Sequence, residues 1–267
     1  MRRATSLPAA LLAVVAPALA QEAPPDPSPG APWDAADAVY GPEAMAKARE
    51  RIQHEMGAVN YGLAMFDRLE WQDTGEDGVG LWDVQGYYGG DLNKLWVKSE
   101  GEYGFGDDAF EEAEVQLLYA RALSPYFDLQ TGIRQDLEPS GETYVVAGLQ
   151  GLAPYWFEVD GALFLSENGD LTARLEAEYE MLLTQRLILQ PRLEVEAAAQ
   201  DIGYRDLGAG LTSVSLGARL RYEFVREFTP YVGVEWASPL GETKTIEEAA
   251  GGDAEDLRLV VGLRAWY

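Results

Sequence analysis

Residues 186–199 read RLILQPRLEVEAAA. Leu187, Leu189, Leu193, Val195 and Ala197 fall on one side of an extended chain, with Pro191 among them. Arg186, Gln190, Arg192, Glu194 and Glu196 fall on the other. Successive side chains of a strand point to opposite faces, so this stretch predicts a sheet with one apolar and one charged face. The same alternation appears upstream, where Leu171, Ala173, Leu175, Ala177 and Tyr179 alternate with Arg174, Glu176, Glu178 and Glu180. Downstream, Val214, Leu216, Ala218, Leu220 and Tyr222 alternate with Ser213, Ser215, Arg219, Arg221 and Glu223.

Working outward, the period of two runs from about residue 60 to the C-terminus. It predicts twelve strands, near 60–72, 79–90, 92–103, 112–123, 126–138, 142–152, 154–166, 170–181, 185–199, 212–224, 228–238 and 255–267; one missed hairpin would leave ten. A soluble sandwich also alternates. Three signs favour a membrane barrel instead: strand length, charges of both signs on the polar faces without core-forming helices, and alternating connection lengths. Tight connections are expected around Gly90-Asp91, Ser124-Pro125, Ala153-Pro154, Leu183-Thr184 and Arg226-Glu227. Longer, mostly acidic ones are expected at 73–78, 104–111, 201–211 and 238–256. In 114–123 the parity blurs after Tyr119, which suggests a bulge there. The last strand alternates Leu257, Leu259, Val261, Leu263, Ala265 and Tyr267 up to a terminal aromatic residue. The fold class is therefore all-β, an antiparallel transmembrane β-barrel of about 12 strands with a short N-terminal periplasmic helix.

Ahead of the barrel the chain begins MRRATSLPAALLAVVAPALA. Arg2 and Arg3, a short apolar run and Ala18-Leu19-Ala20 predict a cleaved signal peptide over 1–20. Residues 21–40 are rich in proline and read as an extended linker. Residues 41–58 read as an amphipathic helix: Pro42 suits a first turn, and Met45, Ala48, Ile52 and Met56 share a face. The barrel then occupies 59–267. Export through an envelope with a barrel implies the outer membrane of a Gram-negative bacterium.

The 267 residues include no cysteine, which excludes a disulfide framework and thiolate metal sites. The formal charge is −25, and loss of Arg2 and Arg3 with the signal peptide would make it −27. Such acidity excludes nucleic acid as a partner and suits attraction of cations. With 11% aromatic and 47% hydrophobic residues, the chain folds despite its charge.

The lone histidine, His54, precedes the barrel, so a Ser-His-Asp hydrolase has no base on a strand. No phosphate-loop motif stands out. The chain is therefore expected not to be an enzyme. Carboxylate pairs such as Glu176/Glu178 and Glu194/Glu196 could serve glycosidic chemistry, but a lumen wall balanced by Arg174, Arg186 and Arg192 accounts for them better. Metal chemistry has soft candidates in His54, Met56, Met45 and Met65, because thioether and imidazole suit copper. Met45 and Met56 lie about three turns (~16 Å) apart on a straight helix, too far for one ion. They also suit packing against the barrel base. Hard oxygen candidates on the lumen faces are Glu100, Glu102, Glu112, Glu114, Glu158, Asp160, Glu176 and Glu178, with Lys94, Lys98, Arg134, Arg219, Arg221, Arg258 and Arg264 available to pair with them. Bulky Trp96 and Trp156 are expected inside and could obstruct the lumen.

Long segments carry a family resemblance. LWDVQGYYGGDLNKLWVKSEGE (81–102), GLAPYWFEVD (151–160), LTQRLILQPR (183–192) and LGARLRYEFVREFTPYVGVEW (216–236) resemble the copper resistance protein B family, as do YGPEAMAKAR (40–49) and VVGLRAWY (260–267). The resemblance covers about 40–267. It implies an outer-membrane barrel, embedded in lipid, that binds copper or assists its sequestration or efflux, with periplasmic copper-handling proteins as partners. Many members carry a Met- and His-rich stretch before the barrel. Residues 21–40 here hold neither Met nor His, which leaves the four soft residues and the lumen carboxylates as ligands. A general cation-selective channel or structural barrel is the alternative.

Overall fold

The structure is a computed structural model that describes residues 35–57, 59–75, 78–251 and 255–267. The signal peptide and nearly all of the proline-rich segment lie outside the described residues. The chain forms two compact units, split between Ala58 and Val59.

The first unit holds α1 (Asp37–Tyr40), α2 (Pro42–Ile52) and a π-helical turn (Gln53–Gly57). Pro42 opens α2, where its missing N–H costs nothing. Arg49 Nη1 and Nη2 donate to both Asp37 carboxylate oxygens at 2.7 and 2.9 Å, tying α2 to α1. Two corrections follow. The linker expected over 21–40 gives way to helix at Asp37, and the single helix expected over 41–58 ends at Ile52. The wider π turn breaks the 3.6-residue register that would keep Met56 on the face of Met45.

The second unit is one antiparallel sheet. Its strands are β1 (Tyr61–Asp73), β2 (Val79–Gly89), β3 (Asn93–Gly104), β4 (Ala109–Ala122), β5 (Phe127–Glu138), β6 (Thr143–Ala153), β7 (Phe157–Ser166) and β8 (Leu171–Tyr179, resuming as Met181–Leu182). They are followed by β9 (Leu187–Ala198), β10 (Gly210–Tyr222), β11 (Phe228–Pro239) and β12 (Asp256–Trp266). Each strand pairs with its sequence neighbours, and β12 pairs back with β1, Trp71 facing Val261. Beyond the strand, Ala64 and Tyr267 exchange backbone hydrogen bonds at 2.9 Å in both directions. The barrel is closed, with twelve strands, so no edge is left to pair elsewhere.

Closure decides what the apolar face means. Leu117, Ile133, Val145, Leu163, Leu216 and Val261 are exposed on the outer wall along with many similar residues. A soluble monomer rarely shows a continuous apolar surface of that extent, and a transmembrane barrel requires one. Around the turn-bearing end stand exposed Tyr88, Tyr126, Tyr155, Trp156, Phe224 and Tyr267, the aromatic girdle of such barrels. Trp156 thus belongs outside rather than in the lumen. Its turn (Pro154–Trp156) has φ of 69° and 68° at Tyr155 and Trp156, which swings both rings away from the strand's alternation.

At the opposite end two of the expected long connections are present, at 199–209 and at 240–255, which contains α3 (Gly241–Ala250). The connection expected over 104–111 shrinks to 105–108, because β3 and β4 extend past their alternating cores. The irregularity in β4 also moves: it lies at Ala113/Glu114, not after Tyr119. Parity holds through Ala122, with Leu118 and Ala120 facing inward. They join Trp96, Tyr144, Val146 and Phe164 in an apolar cluster inside the barrel. The blur in the sequence was this apolar sector of the lumen, not a bulge.

Candidate functional site

The inward faces build a charged lumen. β1 contributes Arg68, Glu70 and Gln72, all buried. A bulge between Phe66 and Arg68 turns Asp67 and Arg68 inward together, each toward a different cavity. One cavity, of about 510 Å³, lies toward the turn end and includes Asp67, Tyr87, Trp96, Lys98, Gln150 and Asp160. The other, of about 610 Å³, lies toward the long connections and includes Arg68, Glu102, Glu112, Glu196, Arg205 and Thr243. Glu100, Glu114 and Arg174 line both.

The predicted lumen carboxylates are all placed inside. Glu100 bonds Arg68 Nη2 at 2.6 Å and Arg174 Nη1 at 2.9 Å. Glu114 meets Arg134 Nη1 at 2.8 Å and Arg174 Nη2 at 3.3 Å. Glu176 and Glu178 both engage Arg192, at 2.7 and 3.1 Å. Asp160 pairs with Lys98. Glu102 has Arg258 at 3.8 Å and faces Glu112 directly across β3 and β4. Glu158 faces Glu178 across β7 and β8. The loop-side cavity is thus rich in carboxylates that only partly find counter-charges. Arg186, expected to balance the lumen, instead sits exposed in the turn before β9.

The soft candidates divide between the two units. His54 and Met56 are exposed in the π turn, and Met45 is half-buried on α2. Met65 belongs to the barrel, on β1, with its Sδ accepting from Arg264 Nη2 at 3.5 Å. Among the described residues no group of three or more His, Asp or Glu side chains is arranged to hold a metal ion.

Sequence reasoning missed Glu70, Asp83 and Asp136. Glu70 accepts from Arg219 Nε at 2.5 Å and Nη2 at 3.0 Å, from Tyr231 Oη at 2.9 Å and from Gln72 Nε2 at 2.9 Å. The alternation Leu69, Glu70, Trp71, Gln72 already marked it as inward-facing.

At the long-connection end a second network ties loops together. Tyr144 Oη (2.9 Å) and Asn168 Nδ2 (2.5 Å) donate to Glu142. Tyr204 Oη and Gln200 Nε2 donate to Asp170 at 2.7 and 2.9 Å, and Arg205 Nη1 donates to Tyr144 Oη at 2.9 Å. Burial pushes the Glu142 carboxyl up, but hydrogen bonds from Tyr204, Tyr144, Asn168 and Ser140 outweigh it and hold it below the usual range. Hydrogen bonds from Gln200 and Tyr204 likewise lower Asp170.

A closed antiparallel barrel with an apolar exterior, an aromatic girdle and a charged interior defines a β-barrel of the membrane-spanning class. Among solved structures it is similar to the NanC porin, with a TM-score of 0.50 and 12% identity over 76% of this chain and 98% of that one. It is also similar to the KdgM porin, with a TM-score of 0.48 and 13% identity over 77% of this chain and 98% of that one. Residues 60–267 match the family described as copper resistance protein B precursor (CopB). The chain is 44% identical to copper resistance protein B of Escherichia coli over 211 residues, 79% of this chain and 70% of the relative. It is 41% identical to a copper resistance protein B homolog of Pseudomonas syringae pv. tomato over 215 residues, 80% of this chain and 72% of the relative. The chain belongs to the copper resistance protein B family.

Proposed function

We propose that this barrel sits in the outer membrane and serves copper resistance by drawing copper ions into its acid-lined lumen, as a binding or efflux component rather than an enzyme. Family membership carries the link to copper. The carboxylate-rich cavity at the long-connection end gives it a physical route: low-dielectric walls focus the field of Glu102, Glu112 and Glu196 and concentrate cations at the mouth. Copper here is cargo, met by carboxylate oxygens and, deeper, by the Met65 thioether. In this reading a cleaved signal peptide exports the chain. The short turns and both chain ends of the barrel face the periplasm, where copper-handling proteins would exchange ions with it. The long connections face outward.

A deletion strain should become more sensitive to copper, but not to zinc or nickel, and the restored chain should reverse this. Equal sensitivity to all three metals would overturn the reading. One observation favours a general cation-selective barrel as the second reading: among the described residues no group of three or more His, Asp or Glu side chains is arranged to hold a metal ion.

A further inference from the structure

The two cavities end against the same three side chains, Glu100, Glu114 and Arg174. Arg174 starts on β8 and reaches across the lumen to β3 and β4. Its Nη1 lies 2.9 Å from Glu100 and its Nη2 3.3 Å from Glu114, while its Nε holds Glu196 on β9 at 3.1 Å. Arg68 on β1 closes on the other oxygen of Glu100 at 2.6 Å. The Arg174 guanidinium also lies 5.8 Å from the Phe164 ring centroid, with Arg134 at 4.8 Å, within cation–π range. One planar cation is therefore gripped from two sides of the barrel, by the facing pair Glu100 and Glu114 on β3 and β4 and by Glu196 on the neighbouring β9, at the level where the cavities meet. A guanidinium has several donors in a fixed fork and keeps its charge throughout the physiological range, so it can satisfy all of these carboxylates at once.

We propose that Arg174 is a tethered plug: it occupies the narrow of an acid-lined lumen, where a mobile cation would otherwise sit, and shuts the path between the two chambers. A cation passes only by taking over the carboxylates of Glu100 and Glu114 and swinging the guanidinium aside. The lumen then admits ions able to compete with an arginine for carboxylate oxygens and resists weakly bound ones. The proposal is independent of any role in copper resistance, because it concerns closure of the lumen to simple salts.

The test is planar-bilayer recording of the full mature protein in potassium chloride, without copper. The wild type should stay near the baseline. Arg174→Ala should give discrete current steps, and Arg174→Lys, which keeps the charge but grips fewer oxygens, should give brief ones. Wild-type steps as large as those of Arg174→Ala would overturn the proposal. So would silence in Arg174→Ala protein that still shows the heat-dependent gel shift of a folded barrel. If that variant does not fold, Glu100→Gln combined with Glu114→Gln keeps the side-chain shapes and releases the guanidinium. Steps in that folded double variant support the plug, and a silent one overturns it.

Discussion

Glu70 illustrates how single residues hold this lumen. Its side chain is fully buried, and Arg219 beside it is nearly so. The gain from such a pair barely exceeds the cost of desolvating it, but removing one partner strands the other charge. Glu70→Ala should therefore destabilise the barrel by about 3–5 kcal/mol, read as a lower urea midpoint for loss of the folded gel band. The part-exposed Arg49–Asp37 pair contributes far less, because solvent screens it. A pH effect belongs to this scale too. Glu142 and Asp170 have folded pKa values below their unfolded ones. Their contribution is thus present above the ordinary carboxylate range and is lost as pH falls through the lowered folded values. Hydrogen-exchange protection along 199–209, taken relative to the intrinsic rate at each pH, should fall in that acid window and hold between neutrality and mild acidity; unchanged protection throughout would refute it. The inward direction of the lumen acids was legible from strand parity, except at the β1 bulge, where Asp67 and Arg68 both turn inward. Their partners were not, because Glu70 and Arg219 lie 149 positions apart, and alternation carries no information about what stands across the barrel.

At the scale of elements, strand positions follow the alternation closely. The expected 212–224 is Gly210–Tyr222, and the expected 228–238 is Phe228–Pro239. The long connections at 199–209 and 240–255 were legible as such, but their internal structure was not. Residues 238–256 read as an acidic loop, yet α3 forms within them and docks on the 199–209 connection. There Gly208 N donates to Thr243 Oγ1 at 3.0 Å. A Cβ on Gly208 would stand 2.4 Å from Glu242 Cβ and 2.9 Å from the Thr243 backbone nitrogen, so this glycine is what permits the approach. Gly208→Ala should push α3 away and speed protease cleavage within 199–209 and 240–255. Thr243→Val should do so more mildly, costing about 1–3 kcal/mol for the stranded buried N–H. The helix escaped the sequence reading because it is short and its stability comes from docking rather than from propensity.

For the whole molecule, the first unit and the barrel are separate compact bodies, and the soft and hard candidate ligands divide between them. Copper titration of the mature protein with and without residues 21–58 tells them apart. If the lumen is the site, stoichiometry is unchanged by truncation and falls when Glu102 and Glu112 become Gln. If His54 and Met56 are the site, truncation abolishes binding.

The sequence by itself determined the barrel. Period-two alternation requires each strand to separate an apolar from a polar face, and a dozen such strands point to lipid outside and charge inside. Tertiary structure alone decided closure through β1 and β12, the apolar sector within the lumen, the outward swing of Trp156 and the Arg174 bridge between the chambers. The reason is geometric. Strand periodicity is a local property of φ and ψ, whereas the partner of a side chain inside a barrel is set by the curvature and stagger that bring distant strands face to face.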